Sequence, residues 1–567
     1  MTPTADTEST LDNLHDTSVT SPLSGSSQEQ PERFVLDEAH IGDIRGALGT
    51  IRMHEQPLRR SWTRKVLALL AIMGPGLIVM VGDNDAGGVA TYAQAGQNYG
   101  TGLLWVLLIL VPVLMISQEM VVRLGAVTGV GHGRLIKERF GKAWAIFSII
   151  DLLILNFLTI VTEFIGVSMA LSYLGVSPYI SVPLAAVTLV GVTISGSFRR
   201  WESAMYILIF ASLLIYPLAL MAHPAPGPIL HGTLIPAMPG GVNNTLVMFV
   251  IAIIGTTIAP WQLFFQQSNI VDKRITPRFI SYERADTVLG SFVVVAGAAA
   301  IMVAADYAAR STHAFGHFTN AGAVAHLLAQ RSGGLGAVFA IVLFDASVLG
   351  AAAVTLSTSY AFGDVFGIRH SLHRGFREAR PFYLSYLTMV VVAAGIVLIP
   401  HAPLGLITTS VQALAGILLP SASVFLLLLC NDREVLGPWV NQRWLNVVAV
   451  LIVGVLLVLS GTLMITTLFP SIDVTAVTLW LAGALGIGGL AVFAMLEVMA
   501  RRGGRPRPPL PAPLSRTDKL TWRMPPLTLL KPVAWSPGLR AGILALRAYL
   551  VLSIVLLVVK AVRLGGG

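Results

Sequence analysis

From Val66 onward the chain is a succession of apolar runs near the roughly 20 residues needed to cross about 30 Å of hydrocarbon, separated by short charged or Gly/Pro-rich breaks. The runs cover approximately 66–98, 102–122, 144–173, 177–196, 203–222, 245–270, 285–309, 333–360, 382–400, 404–430, 443–468, 473–499 and 541–563, which predicts thirteen membrane-spanning helices. Two of them are interrupted at mid-depth. Span 1 contains Gly82-Asp83-Asn84-Asp85-Ala86-Gly87-Gly88, and span 6 contains Gly255-Thr256-Thr257-Ile258-Ala259-Pro260-Trp261-Gln262. Pro260 removes a backbone donor and clashes with the preceding turn, while Gly87 and Gly88 each weaken a helix by about 1 kcal/mol relative to alanine. A helix broken inside a bilayer leaves polar backbone groups that must face protein, water or an ion. Spans 1 and 6 are five apart, an odd spacing that inverts the second unit. Residues 66–222 and 245–430 therefore read as inverted repeats with a site at the midplane between them.

The fold class predicted is an all-α polytopic membrane protein with a broken-helix, five-plus-five inverted-repeat core over 61–430. Helices 11 and 12 follow over 431–500, and a thirteenth is a candidate within 541–567. Composition agrees: of 567 residues 54% are hydrophobic and 12% charged, against about 25% charged in ordinary soluble domains, and the mean hydropathy is +0.74. Residues 1–60, rich in Ser, Thr, Asp, Glu and Gln, cannot bury enough apolar surface to offset their ordering entropy and read as a disordered tail. That tail starts acidic and has no apolar stretch before Val66, so it is no secretory signal. Residues 501–540, heavy in Pro and Arg, read as an extended linker. A single cysteine, Cys430, excludes an intramolecular disulfide framework and any multi-cysteine metal site.

The net charge of +9 is unevenly spread. Residues 1–60 hold 5 basic and 10 acidic residues, so the remaining 33 basic and 19 acidic residues give the rest of the chain +14. Loops leaving even-numbered spans are basic, as with Arg123, Arg134 and Lys137 after span 2 or Lys273, Arg274 and Arg278 after span 6, whereas the 1–2, 3–4, 5–6, 9–10 and 11–12 loops lack Lys and Arg. This bias puts the N-terminus in the cytoplasm and the chain in the cytoplasmic membrane. An ionisable residue at the bilayer centre costs at least about 2.5 kcal/mol and so usually has a functional partner. Asp83 and Asp85 occupy that depth beside freed backbone carbonyls, a donor set that favours a cation. Asp85 is the stronger candidate, while Asp83 has the alternatives of an arginine partner or a watery vestibule.

At these residues the chain resembles the Nramp (natural resistance-associated macrophage protein) family of divalent metal transporters. Gly74-Pro75-Gly76 followed by Asp85-Ala86-Gly87-Gly88-Val89-Ala90-Thr91 is similar to the family's G-P-G and D-P-G-N signatures of span 1. Arg123 to Gly129 matches its R-L-G-x-V-T-G loop, Glu163-Phe164-Ile165-Gly166 its span 3, and Arg199 to Glu202 and Asp432 to Trp444 its basic loops. The likeness covers about 66–468. It implies a transport site in which Asp85 is the kept aspartate ligand, with the carbonyl of Thr256 as a second ligand. Three ligand positions differ: Gly88 replaces an asparagine, Ala259 replaces the methionine of M-P-H-N, and Leu418 stands where a glutamine would help. Loss of the thioether removes the soft ligand and makes room for a partly hydrated ion. Hard cations such as Mg²⁺ keep waters and prefer oxygen, and the Nramp-related magnesium transporters also carry alanine there. The expected cargo is thus Mg²⁺ or Mn²⁺, with Fe²⁺ left open.

Within the family, proton movement is tied to a span 6 histidine and to acidic residues of span 3. Here Trp261, with Gln262 beside it, lines the site in the histidine's place, and Ile160 replaces an aspartate, so that Glu163 alone remains as a proton-coupling candidate. Weak or absent coupling is the expectation. No nucleophile–base constellation points to an enzyme, no cofactor is implied beyond the metal as substrate, and nothing points to nucleic acid. Two rival classes are a transport-inactive sensor or scaffold of the same fold and an organic-solute transporter of the same architecture. Gly129 to Gly133 has half a phosphate-loop pattern without its strand, and His313 and His317 have the spacing of a helical metal pair without acidic neighbours.

Overall fold

The computed structural model describes residues 38–52, 62–400, 404–469, 471–502, 515–531, 533 and a scatter of residues between 542 and 555. Apart from a small hairpin it is helical. Span 1 is three pieces: α1 (Trp62–Ile72), α2 (Pro75–Val81) and α3 (Ala86–Tyr99). Besides the expected break before Ala86, the chain turns by 56° between α1 and α2, where Gly74 takes a φ of 145° and Pro75 starts the next helix. Then come α4 (Leu104–Thr128), α5 (His132–Phe140), α6 (Lys142–Tyr173), α7 (Pro178–Ile194), α8 (Phe198–Ser212), α9 (Ile215–Met221) and α10 (Pro226–Leu234). The second unit runs α11 (Asn244–Thr257), α12 (Pro260–Asp272), α13 (Ile280–Ala309), α14 (Ala321–Arg331), α15 (Gly333–Phe366), α16 (Arg380–Val397) and α17 (Leu404–Cys430). Next are α18 (Arg433–Leu436), α19 (Arg443–Leu468), α20 (Val474–Arg502) and α21 (Arg516–Thr521).

The repeat is visible in this order. In each unit a broken span is followed by a long helix, a short one of 9 or 11 residues (α5, α14), a very long one of 32 or 34 residues (α6, α15) and a helix of 17 or 18 residues (α7, α16). The two longest helices pack most extensively against each other. Among the described residues nine helices are long and apolar enough to cross a membrane, or eleven if two bent pairs count as spans. The first twelve expected spans all have a helical counterpart. α20 is apolar yet only 6% of its most apolar window is buried in the protein. The expected thirteenth span lies largely outside the described residues, although Tyr549 within it donates to the Ile417 carbonyl of α17 at 2.5 Å.

Two flanking segments differ from their sequence reading. Within the tail read as disordered, Ile44–Gly46 (β1) and Gly49–Ile51 (β2) form an antiparallel hairpin. It is held by long-range contacts that composition does not reveal: Ala47 N–H donates to Glu202 at 2.5 Å, and Arg274 donates to the carbonyls of Ala39 at 2.9 Å and Asp43 at 3.2 Å. The rest of 1–60 lies outside the described residues, apart from the stretch 38–52. Within the linker read as extended, 515–531 docks on the core: Trp439 Nε1 donates to the Lys519 carbonyl at 2.9 Å and Met524 N–H to the Val127 carbonyl at 3.3 Å.

Candidate functional site

The break in span 1 is built by a cap. Asp85 adopts an extended ψ of −178° and its Oδ1 accepts the Gly88 N–H at 2.7 Å, which makes it the N-cap of α3. Gly88 therefore serves Asp85 through its backbone. A Cβ at this position would come within 2.8 Å of the Asp83 carbonyl oxygen, so the family's asparagine would not fit here without a shift. Glu163, wholly buried on α6, accepts the Ala86 N–H at 3.0 Å through Oε2 and lies in hydrogen-bonding contact with Asp85. Gly350 of α15 permits this approach, because a Cβ there would come within 2.7 Å of both the Asp85 and the Glu163 side chains. Asp83, 1% exposed, accepts a hydrogen bond from Gln262, and its Oδ2 has no partner among the described residues.

The break in span 6 supplies different chemistry. The Thr256 carbonyl would be met in a continuous helix by the N–H of residue 260, but Pro260 has none, so the oxygen is released from the helix ladder. Thr256 Oγ1 is also buried without a hydrogen-bond partner among the described residues. Ala259, the N-cap residue of α12, is 7% exposed and has no side-chain cap bond. Trp261 is buried in the core, its ring tilted 60° to that of Phe265 at 6.0 Å, and its carbonyl accepts from Ser357 at 2.9 Å. Gln262 bridges the breaks: its amide donates to Asp83, lies 3.4 Å from the Thr257 carbonyl and accepts from Gln118 of α4 at 3.1 Å. Tyr92 of α3 hydrogen-bonds Thr257 at 2.7 Å, a second tie between the two broken spans.

The sequence-expected residues thus fall into one buried locality: Asp83, Asp85, Gly88 and Glu163 on one side, and Trp261 and Gln262 on the other, with Thr256 and Ala259 at the second break. Three carboxyl groups share it, and among the described residues no lysine or arginine pairs with any of them. Uncompensated charges buried in this way cost several kcal/mol each. The N-terminus of α3 offsets part of that, and protonation or a bound cation would offset the rest. The metal-binding donors the set offers are oxygens: three carboxyl groups and the carbonyl freed at Thr256.

One contributor was missed by sequence reasoning. Leu418, which stands where the resemblance puts a glutamine, is packed in α17 with its carbonyl bonded to Ser421. The amide that α17 brings to the break is Gln412, which lies so close to Gly87 that a Cβ there would collide with it. A polar residue in an otherwise apolar run was the available signal. His313 and His317 sit exposed in turns rather than on a helix face. The half phosphate loop is closed to a ligand, since Asp364 fills the space beside Gly131.

Comparison with known proteins agrees with this architecture. A family model described as natural resistance-associated macrophage protein-like matches residues 76–466. The divalent metal cation transporter MntH of Ralstonia nicotianae is 29% identical over 400 residues, which is 67% of this chain and 87% of the relative. That of Xylella fastidiosa is 27% identical over 459 residues, 78% of this chain and 93% of the relative. Among solved structures, a variant of the Eremococcus coleocola manganese transporter aligns with a TM-score of 0.60 at 21% identity, over 81% of this chain and 98% of that one, a likeness of fold.

Proposed function

The chain belongs to the natural resistance-associated macrophage protein-like family of membrane transporters, and on that premise we propose that it carries divalent metal cations across the cytoplasmic membrane by alternating access, with Mg²⁺ or Mn²⁺ favoured and Fe²⁺ left open. The observation that carries this reading is the trio Asp83, Asp85 and Glu163, buried at the break with no basic partner among the described residues. Asp85 supplies most of the fixed charge that compensates ion dehydration, the Thr256 carbonyl is the second ligand, and Gln412 and Gln262 stand beside them with their amide nitrogens turned to Gly87 and Asp83. Ala259 offers no sulfur, so the donors are hard and suit an ion that keeps several waters.

Transport in this reading is driven chiefly by the membrane potential, which favours entry of a divalent ion by about 4.6 kcal/mol per 100 mV. Trp261 cannot titrate, and Ile160 cannot carry a proton. A second reading is favoured by one contact: Glu163 sits directly against Asp85, so a single carboxylate could pass a proton when metal binds. Proteoliposomes loaded with a pH-sensitive dye and presented with several divalent ions test both. Metal entry under an inside-negative potential without acidification is expected, in Glu163→Gln as in the parent. Metal-dependent acidification that disappears in Glu163→Gln establishes the single-carboxylate relay instead, and absence of any divalent uptake by the correctly inserted parent removes the transporter reading.

A further inference from the structure

At the face carrying the basic loops, a cleft of about 420 Å³ opens between the end of α4, the start of α13, the first turn of α19 and the docked linker. Its polar end holds Arg123, Arg284 and Lys519 against a single carboxylate, Glu119. Arg123 is fully engaged: it donates to the Trp439 carbonyl at 2.7 Å, to Asn441 at 2.6 Å and to Glu119 at 3.0 Å. Arg284 reaches Glu119 at 2.5 Å, yet its Nε is buried with no hydrogen-bond partner among the described residues. Lys519 pairs with no carboxylate among the described residues, its ammonium standing 4.6 Å over the Trp439 ring. Burial and the nearby positive charges of Arg284 and Arg123 lower its pKa below that of an ordinary lysine, as expected where cations outnumber their counter-charges.

The other end of the cleft is apolar. Ile116 and Val288 form its wall, and just outside the cleft on α13 the side chains of Leu289 and Phe292 are 47% and 57% exposed, as lipid-facing residues are. Trp444, 61% exposed, stands at the rim, the position that amphipathic rings take at a membrane–water boundary. A site with unmatched cations at its polar end, an open apolar wall and a tryptophan at the interface has the layout of a phospholipid.

We propose that this cleft binds the phosphate group of an anionic phospholipid from the leaflet on the basic face, with Arg284 and Lys519 as its cationic contacts and an acyl chain along Ile116 and Val288. Free phosphate shares the headgroup chemistry but has no use for the apolar wall. The linker segment 515–531 completes the site by presenting Lys519, so lipid binding holds that segment on the core.

The test titrates the full-length protein in neutral detergent with short-chain phosphatidylglycerol, short-chain phosphatidylcholine and inorganic phosphate, reading tryptophan fluorescence and the thermal midpoint. Phosphatidylglycerol should bind at least fivefold tighter than phosphatidylcholine and raise the midpoint. Lys519→Gln and Arg284→Gln should each weaken it about fivefold, the contribution expected of one basic residue at an anionic surface, while Lys519→Arg retains it. Equal binding of the two lipids overturns the proposal, as does unchanged affinity in a correctly folded Lys519→Gln or Arg284→Gln. Inorganic phosphate binding as tightly as phosphatidylglycerol overturns the assignment to lipid.

Discussion

Two buried clusters of carboxylates, one at the break between α2 and α3 and one beneath it towards the basic face, have been given opposite solutions to the same electrostatic problem. In the lower cluster Glu202, Glu283 and Asp286 surround Lys273, whose ammonium is wholly buried 2.6 Å from Glu202 and also donates to the Ile72 carbonyl at 2.8 Å. Asp286 accepts the N–H groups of Gly74, Gly76 and Leu77 at 2.8–3.2 Å, fixing the turn into α2. The upper cluster, Asp83, Asp85 and Glu163, has backbone N–H groups and one glutamine but, among the described residues, no such lysine. A resident cation makes the first cluster structural. In the proposed transport reading, the want of one among the described residues suits the second to a cation that comes and goes.

The strongest way to break this comparison is Asp85→Ala. Metal affinity should fall by about a hundredfold or more, since a ligand charge is worth roughly 3 kcal/mol in a dry site, and uptake should vanish while the protein still inserts and folds. Undiminished uptake in vesicles would remove Asp85 from the site. The converse change, Lys273→Met, should act on stability: stranding Glu202 without its partner costs about 3–5 kcal/mol, and Lys273→Met combined with Glu202→Leu should recover most of it. A thermal midpoint unchanged in the single variant would show that the lower cluster does not need its cation.

The support of the second break is pH-sensitive. His132 on α5, outside the spans, is wholly buried edge-on to Phe264 and 2.8 Å from Gln267, both on α12. Burial pushes its pKa down from 6.5 to about 4. A base whose folded pKa is depressed takes up a proton first in the unfolded chain, so its contribution is complete above pH 6.5 and lost as the pH falls towards 4, by about 3 kcal/mol. His132→Gln should flatten the slope of the thermal midpoint over that window. A slope unchanged by the substitution would assign the acid sensitivity to other groups.

The smallest expected effect sharpens the chemistry of the upper cluster. Ala259→Met puts a thioether back at the N-cap of α12 and should shift the Cd²⁺ to Mg²⁺ preference about tenfold towards Cd²⁺. Calorimetry with the same preference order in both proteins would leave the transport reading intact and discard the selectivity argument.

Local chemistry along the chain was enough for the broken spans, their five-apart spacing and the aspartates within the first of them, because helix interruption and intramembrane charge are properties of consecutive residues. Pro260 alone freed the Thr256 carbonyl. What depended on distant parts of the chain could be decided only in three dimensions. Gln412 reaches Gly87 because α17 packs against α3 at the break, and Gly350 lets Asp85 and Glu163 meet because α15 passes both side chains without a Cβ there. By composition the hairpin at 44–51 lies in a tail too polar to order itself and the segment 515–531 in an extended Pro/Arg-rich linker. They are ordered by Glu202, Arg274, Val127 and Trp439, residues up to several hundred positions away, whose buried donors and acceptors supply the partners that no local pattern encodes.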